Sequence, residues 1–214
     1  MNNKSIFITA TNTNIGKTYT TLKLLEIFSK KNLKVVAFKP IETGVDDLPQ
    51  DALKLLEKSQ QLNPIFKNLT LKDICPIWFR LPASPFVAKQ SKPIDMQKIY
   101  NSYQKLQKIS DLVLIEGAGG LFVPIEKDLY MIDLIKIFDA KALLVVHDKL
   151  GCINDALLSI NAITQQNISF EWCINHVDGK KEFQKITLPF FKEKFGKVLT
   201  LQDDLEQIAN NLLL

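Results

Sequence analysis

The sequence is almost devoid of arginine: its 27 lysine and arginine residues include a single arginine, Arg80. Arginine is the side chain that most often holds phosphate or carboxylate groups through two parallel hydrogen bonds. Any anion chemistry must therefore depend on lysine, on backbone N–H groups and on bound metal ions. The formal net charge is only +4, and the basic residues are spread along the chain. Composition thus gives no support for binding to nucleic acid.

Cysteine is also scarce, since the chain has three cysteines, Cys75, Cys152 and Cys173, and no paired spacing among them. Neither a zinc site nor a disulfide framework is indicated. No apolar run approaches the length of a membrane span. No signal peptide is recognised, because Lys4 and Ser5 lead directly into a short strand-like run. We therefore expect a cytoplasmic protein with no membrane partner.

Short apolar runs alternate with helical patterns along the chain. The patterns predict strands at 5–9, 33–38, 111–115, 142–146 and 170–174, and helices at 18–30, 51–60, 95–109, 129–138, 152–166, 181–194 and 203–214. Continuous apolar strands that alternate with amphipathic helices are typical of a mostly parallel sheet with helices on both faces. The 214 residues, 46% of them hydrophobic, suffice for one core. We predict a single α/β domain over residues 1–214.

The stretch TATNTNIGKTYT, residues 9–20, lies between the first predicted strand and the first predicted helix. Gly16, Lys17 and Thr18 form the end of a phosphate-binding loop, although Thr11 stands where the usual pattern has its first glycine. Backbone N–H groups at a helix N-terminus attract anions. Lys17 can reach the β- and γ-phosphates, and the Thr18 hydroxyl can bind Mg²⁺. The alternative is a chance Gly-Lys-Thr at a helix start. The flanking strand and helix favour a nucleotide site of the P-loop NTPase type.

Two further segments place polar groups at the ends of predicted strands. In DLVLIEGAGG, Glu116 ends a buried strand and would face a Mg²⁺ ion held by Thr18. The glycines that follow let the backbone approach a ligand closely. In FKPIETG, Lys39 ends a strand at the same edge and could neutralise a transferred phosphoryl group. In a chain this rich in lysine, a solvated surface lysine is an equally good interpretation of Lys39.

Other polar residues have simpler interpretations. Asp51 either caps a helix or binds a metal ion, or does both. The acids of the loop over residues 40–50, Glu42 among them, are expected to be solvated. The two histidines, His147 and His176, stand apart from any partner pattern and are interpreted as structural or surface residues.

Six segments together resemble the dethiobiotin synthetase family: TATNTNIGKT, FKPIETG, DALKL, LIEGAGG, KLGCIN and WCINHV. They occur in the family's order and approximate spacing, from residue 6 to about residue 178. The family has a variant phosphate loop with five residues, here Thr11 to Ile15, before Gly-Lys-Thr. The family usually has glycine where Ala10 stands and an acidic residue where Asn14 stands.

The resemblance implies an ATP- and Mg²⁺-dependent enzyme that converts 7,8-diaminononanoate and CO₂ into dethiobiotin, with a carbamate and its mixed anhydride with phosphate as intermediates. Lys17 and Lys39 would be catalytic, and Thr18, Asp51 and Glu116 would hold the metal. Nucleotide contacts are implied at Thr13, Asn14, Ile15, Gly16, Lys17, Thr18, Tyr19, Glu116, Gly117, Ala118, Gly119 and Asn175. Substrate contacts are implied at Thr43 and, from the partner subunit of a homodimer, at Gly151, Cys152, Ile153 and Asn154.

Three other functions remain open on the sequence. A partitioning or cell-division switch ATPase would have a signature lysine four residues before the loop's last glycine, where this chain has Asn12. An amide-forming synthetase related to cobalamin synthesis would usually need a glutaminase domain, for which there is no room. A nucleotide-binding module without catalysis would lose no activity on Lys39→Ala substitution.

Overall fold

A five-stranded parallel sheet forms the centre of the computed structural model, which describes residues 4–177 and 180–214. The strands in the described residues are β1 (Lys4–Ala10), β2 (Val35–Phe38), β3 (Ile41–Thr43), β4 (Ile77–Phe79), β5 (Leu112–Gly120), β6 (Pro124–Glu126), β7 (Leu129–Tyr130), β8 (Lys141–His147) and β9 (Phe170–Asn175). The central sheet has the spatial order β2, β5, β1, β8, β9. Two-stranded sheets pair β3 with β4 and β6 with β7.

Helices fill most of the connections between the strands. They are α1 (Lys17–Lys30), α2 (Gln50–Leu62), α3 (Leu71–Ile74), α4 (Pro85–Ala88), α5 (Met96–Gln107), α6 (Met131–Ile137), α7 (Cys152–Gln165), α8 (Lys180–Glu182), α9 (Leu188–Phe195) and α10 (Leu205–Leu213). A 3₁₀ turn at Pro64–Phe66 follows α2, and a π-helical turn at Phe183–Thr187 joins α8 to α9. No helix in the described part of the chain is long and apolar enough to cross a membrane.

The core lies on both faces of the central sheet. Successive residues of a strand point to opposite faces, so a strand that is buried without a break must be covered on both sides. β2 is buried along its whole length, and so is β5 from Leu112 to Gly117. On one side of the sheet, Phe38 packs edge-on against Phe138, with ring centroids 6.0 Å apart. The predicted fold class is therefore confirmed.

Several predicted boundaries differ from the observed ones. The predicted loop over residues 40–50 contains the short strand β3, and the predicted helix 129–138 begins with β7. β5 continues through Gly120 instead of ending before Glu116, because its far end pairs with Ala10 of β1. The predicted N-cap at Asp51 is wrong. Pro49 is the N-cap of α2, and Asp51 is the second residue of the helix.

Candidate active site at the carboxyl edge of the sheet

A cleft of about 390 Å³ opens where β1, β2 and β5 reach their carboxyl ends. This is the edge at which ligands bind in open α/β sheets. The residues that line the cleft are Thr13, Asn14, Gly16, Lys17, Thr18, Lys39, Glu42, Thr43, Asp51, Glu116, Ala118 and Gly119. Most of the residues expected from sequence to form the site are therefore gathered in one place.

The phosphate loop between β1 and α1 owes its shape to two residues with left-handed backbone. Asn14 has φ 60° and Gly16 has φ 97°. Gly16 is the N-cap of α1, and no side chain caps the helix. No side chain therefore accepts a hydrogen bond from the first N–H groups of α1. Uncapped N–H groups at a helix N-terminus are a favourable site for an anion. Ala10 ends β1 as an ordinary strand residue, so its Cβ is accommodated where the family usually has glycine.

Lys39 links the two acidic residues of the cleft. It follows β2 directly and is 4% exposed, and its Nζ lies 2.5 Å from Glu116 Oε1 and 3.3 Å from Asp51 Oδ2. Burial by itself lowers the pKa of Lys39, but the carboxylates of Glu116 and Asp51 outweigh it and hold the pKa above its ordinary value. Lys39 is therefore a fixed ammonium group and not a proton acceptor. The solvated surface lysine considered from the sequence is ruled out.

Lys17 is the second buried lysine of the cleft, and its pKa is shifted in the opposite direction to that of Lys39. Its Nζ donates to the backbone oxygen of Asn12 at 3.0 Å and forms no ion pair among those found in the described residues. Burial, helped by the nearby charge of Lys39, lowers the pKa of Lys17 to about 8. An anion bound in the loop would give the Lys17 ammonium an oppositely charged partner.

The oxygen groups of this cleft are of the kind that Mg²⁺ prefers, but in this structure they are engaged by Thr18 and Lys39. The Thr18 hydroxyl donates to Glu116 Oε1 at 2.8 Å, and the Lys39 ammonium lies between the carboxylates of Glu116 and Asp51. Mg²⁺ prefers such oxygen ligands and usually takes one or two carboxylates together with substrate phosphates. No group of three or more His, Cys, Asp or Glu side chains suited to a metal occurs within residues 4–177 and 180–214. A Mg²⁺ ion here would thus need further oxygen ligands, from water or from the phosphates of a nucleotide.

Glu42, expected to be a solvated loop charge, is instead a buried member of the cleft at 8% exposure. Its two carboxylate oxygens accept from the backbone N–H groups of Asp51 and Ala52, at 3.1 and 2.9 Å. Burial raises its pKa. Glu42 therefore caps α2 in place of Pro49, which has no capping side chain, and it fixes the helix turn that carries Asp51.

The Glu42→Gln variant should lose about 1 kcal/mol in free energy of unfolding, because a carboxamide offers one acceptor to two N–H groups. The measurement is urea denaturation. Glu57→Gln is the matched control, since Glu57 is an exposed acid on the same helix. Equal stability of the two variants would contradict the capping role.

Some of the expected contact residues lie outside the cleft lining. Gly117 is buried, and a Cβ there would lie 2.9 Å from the Phe7 ring, so this glycine serves the packing of β5 against β1. Ile15 is also buried, whereas Tyr19 is 48% exposed on α1. Asn175 ends β9 and contacts the phosphate loop through a hydrogen bond of 2.8 Å from its Nδ2 to the Ile15 oxygen.

The segment expected to bind the substrate carboxylate forms the start of α7. Gly151 is its N-cap with φ 96°, Cys152 is fully buried, Ile153 is half-buried and Asn154 is exposed. None of these four residues lines the cleft of the same chain.

The histidines are not isolated, contrary to expectation. His147 Nε2 lies 3.1 Å from Asp155 Oδ2, and His176 Nδ1 lies 3.1 Å from Asp148 Oδ2. Both contacts hold the turn that leads into α7. No sequence pattern indicated these pairs. His147 meets Asp155 through the turn between β8 and α7, and His176 meets Asp148 because the ends of β8 and β9 lie side by side.

The parallel sheet, the glycine-ended loop and the buried lysine that follows it define a P-loop nucleotide-binding protein. Solved structures agree at the level of the fold. The MinD cell division protein of Aquifex aeolicus aligns with a TM-score of 0.52 and 19% identity over 97% of this chain and 86% of that chain. A plasmid partition protein of Borrelia burgdorferi bound to AMPPNP aligns with a TM-score of 0.59 and 14% identity over 100% of this chain and 97% of that chain.

Sequence comparison narrows the class to one family. A family model described as an AAA domain matches residues 4–192. The ATP-dependent dethiobiotin synthetase BioD of a Sulfurovum species is 45% identical over 97% of this chain and 99% of its own length. The protein of that name from Wolinella succinogenes is 40% identical, with 98% of each chain covered. The chain belongs to the ATP-dependent dethiobiotin synthetase family, as the six motifs indicated.

Proposed function

We propose that this chain converts 7,8-diaminononanoate, CO₂ and ATP into dethiobiotin, ADP and phosphate. Membership of the family makes it an ATP-dependent ligase that closes a ring. The observation that carries the proposal is the convergence, in one cleft, of Lys17, Thr18, Lys39, Thr43 and Glu116. These side chains can neutralise a triphosphate and present a hydroxyl to a second substrate beside it.

The reaction balances in three steps. One amine of the diamine adds to CO₂ and loses a proton, which gives a carbamate. A carbamate oxygen attacks the γ-phosphorus of ATP, so that the bond to the bridging oxygen breaks and ADP leaves. The second amine then attacks the carbamoyl carbon, the C–O bond to the phosphoryl group breaks, and phosphate leaves as the ureido ring closes with loss of a proton.

The chain's own contribution is to position the reactants and to neutralise charge. Lys17 would bind the β- and γ-phosphates, and Lys39, held as an ammonium group, would face the oxygens of the transferred phosphoryl group. Thr18, Glu116 and Asp51 would hold Mg²⁺, which when bound offsets the charge of the phosphates. Thr43 would contact the substrate near its amines. Asn175 would contact the adenine, and the backbone of residues 13–19 and 117–119 would surround the phosphates.

The switch-ATPase alternative has weaker support. The similarity to cell division and partition proteins extends to the fold alone, at 14–19% identity. The place of their signature lysine is held by Asn12, whose backbone oxygen accepts from Lys17.

The test of the function is Mg²⁺-dependent phosphate release from ATP with bicarbonate, with and without the diamine. We expect release to require the diamine and dethiobiotin to appear in equal amount. Phosphate release indifferent to the diamine would favour a switch ATPase. A parallel assay with GTP and CTP measures base selectivity.

We also propose that two copies form a dimer with shared sites. The protein is proposed to act in the cytoplasm, and each copy to form one domain over residues 1–214. Apolar side chains support the dimer: Leu150, Leu158 and Phe122 are 82%, 63% and 61% exposed. Phe122 and Leu158 line a groove of about 350 Å³ that also includes Thr11 and Asn12 of the phosphate loop. A partner on this groove would bring its α7 close to the cleft of the first copy.

Light scattering at micromolar concentration should therefore give the mass of a dimer. Leu158→Asp should shift the mass to that of a monomer, because a charge in an apolar interface is not compensated. Leu214→Asp, at an exposed terminal position, should leave the dimer intact. Full diamine-dependent activity in a monomer would contradict the shared site.

A further inference from the structure

Asn175 holds the backbone of the phosphate loop from a position just outside the lining of the cleft. Asn175 is 4% exposed, and its Nδ2 donates to the Ile15 oxygen at 2.8 Å. A Cβ on Gly16 would lie 2.3 Å from the same Nδ2, so the carboxamide packs directly on the Gly16 backbone. The Ile15 carbonyl is therefore turned toward β9 and away from the anion site.

The peptide between Ile15 and Gly16 needs such a restraint. Glycine occupies positive and negative φ with similar ease, so the residue at position 16 does not by itself select one orientation of the peptide that precedes it. In the observed orientation Gly16 has φ 97°. The opposite orientation would turn a carbonyl oxygen toward the phosphates, where it would repel them.

Gln202 determines which way the Asn175 carboxamide faces. Its Oε1 accepts from the His176 N–H at 3.1 Å, and its Nε2 donates to the His176 oxygen at 3.1 Å. The backbone N–H of His176 can only donate and its backbone oxygen can only accept, so this double contact leaves the Gln202 carboxamide a single orientation. The same Nε2 donates to Asn175 Oδ1 at 2.7 Å, which leaves Asn175 Nδ2 for the Ile15 oxygen.

We propose that Gln202 is a positioning residue for nucleotide binding: it sets the carboxamide of Asn175, which holds the Ile15–Gly16 peptide with its oxygen out of the phosphate site. The proposal rests on the proposed function, since it concerns the same nucleotide site. It assigns a role to the turn between α9 and α10, which lies outside the six motifs. Gln202 is itself exposed, so its replacement leaves no cavity in the core.

Gln202→Glu is the informative variant because it keeps the shape and one acceptor of the side chain while removing the donor. A carboxylate there would oppose both the His176 oxygen and Asn175 Oδ1. Asn175 would turn its Nδ2 toward the carboxylate, and its Oδ1 would then face the Ile15 oxygen. We expect about tenfold weaker binding of ADP and of a non-hydrolysable ATP analogue, measured by calorimetry without the diamine.

The comparison with Gln202→Ala separates positioning from packing. The alanine variant loses the restraint but adds no repulsion, so it should bind more tightly than the glutamate variant and less tightly than the unsubstituted chain. Steady-state assays should show a raised KM for ATP, with kcat and the KM for the diamine nearly unchanged. Tighter binding by Gln202→Glu than by Gln202→Ala would overturn the proposal.

Two controls identify the route of the effect. Gln207→Glu adds the same charge to a nearby exposed glutamine on α10, whose Oε1 accepts from Lys197, and should leave nucleotide affinity unchanged. In an Asn175→Ala background, Gln202→Glu should have no further effect. The positioning role would be overturned by normal nucleotide affinity in Gln202→Glu. It would also be overturned if Gln202→Glu weakened nucleotide binding equally in the Asn175→Ala background. Neither result would overturn the proposed function. Absence of nucleotide binding in the unsubstituted chain overturns the proposed function and this inference with it.

Discussion

Lys39→Met is expected to reduce the rate of dethiobiotin formation by about 10²- to 10³-fold, the usual effect of removing one preorganised charge from a transition state. Lys39 is 4% exposed and contacts the carboxylates of Glu116 and Asp51, so its ammonium group already stands in the cleft before substrate binds. Methionine keeps most of the side-chain volume and removes only the charge. The measurement is kcat with saturating ATP, Mg²⁺ and diamine.

The same substitution should also lower stability. Glu116 is fully buried, and among the described residues the side-chain donors that would remain to it are the hydroxyl groups of Thr18 and Thr21, at 2.8 and 3.0 Å. Breaking a buried ion pair from one side leaves a charge without compensation and costs about 3 kcal/mol or more. The pKa of Lys39 is raised in the folded state, so its contribution is fully present below the unfolded pKa and is lost only when alkaline pH passes the folded pKa. The loss should therefore be undiminished at neutral pH.

The double variant Lys39→Met/Glu116→Gln separates the two effects. It removes both charges, so the free energy of unfolding should return toward that of the unsubstituted chain while turnover stays low. Near-normal turnover in Lys39→Met would contradict the catalytic role. Unchanged stability of that single variant would contradict the buried pair.

The parts of the site that depend on patterns between neighbouring residues could be predicted from the sequence. The strand before Thr11 and the helix after Gly16 are adjacent in sequence, so their periodicity located the phosphate loop. Lys39 and Glu116 follow apolar runs, and parallel strands bring their carboxyl ends to one edge of a sheet. The position of Lys39 and Glu116 at that edge therefore followed from the predicted fold class, without any knowledge of side-chain contacts.

Contacts between side chains that the fold alone brings together could not be predicted. Glu42 reaches the start of α2 because the β3–β4 ribbon turns its carboxylate inward, whereas the acid-rich composition of its loop suggested exposure. Asn175 and Gln202 are 27 residues apart and meet through the bridge between Ile174 and Thr200. Neither arrangement has a periodic signature, because each depends on one side chain and one distant backbone group.

Lys17→Met is expected to reduce kcat/KM for ATP at least as strongly as Lys39→Met, about 10²-fold or more, but to change stability in the opposite direction. Burial and the charge of Lys39 lower the pKa of Lys17 to about 8, so the folded state holds its charge at a cost. The unfolded chain binds more protons between pH 8 and 10.5, so this cost is full below pH 8 and fades as the pH rises through that range.

Lys17→Met should therefore unfold at a higher urea concentration than the unsubstituted chain at neutral pH, and the gain should shrink toward pH 10.5. Lys23→Met is the matched control on the same helix, because Lys23 is 40% exposed in its side chain and lies 3.7 Å from Glu26. It should change neither activity nor the pH dependence of stability. A stabilised but inactive Lys17→Met variant would mean that the loop holds a destabilising charge which only a bound phosphate compensates. Loss of stability in that variant would show that Lys17 supports the folded loop even without a ligand.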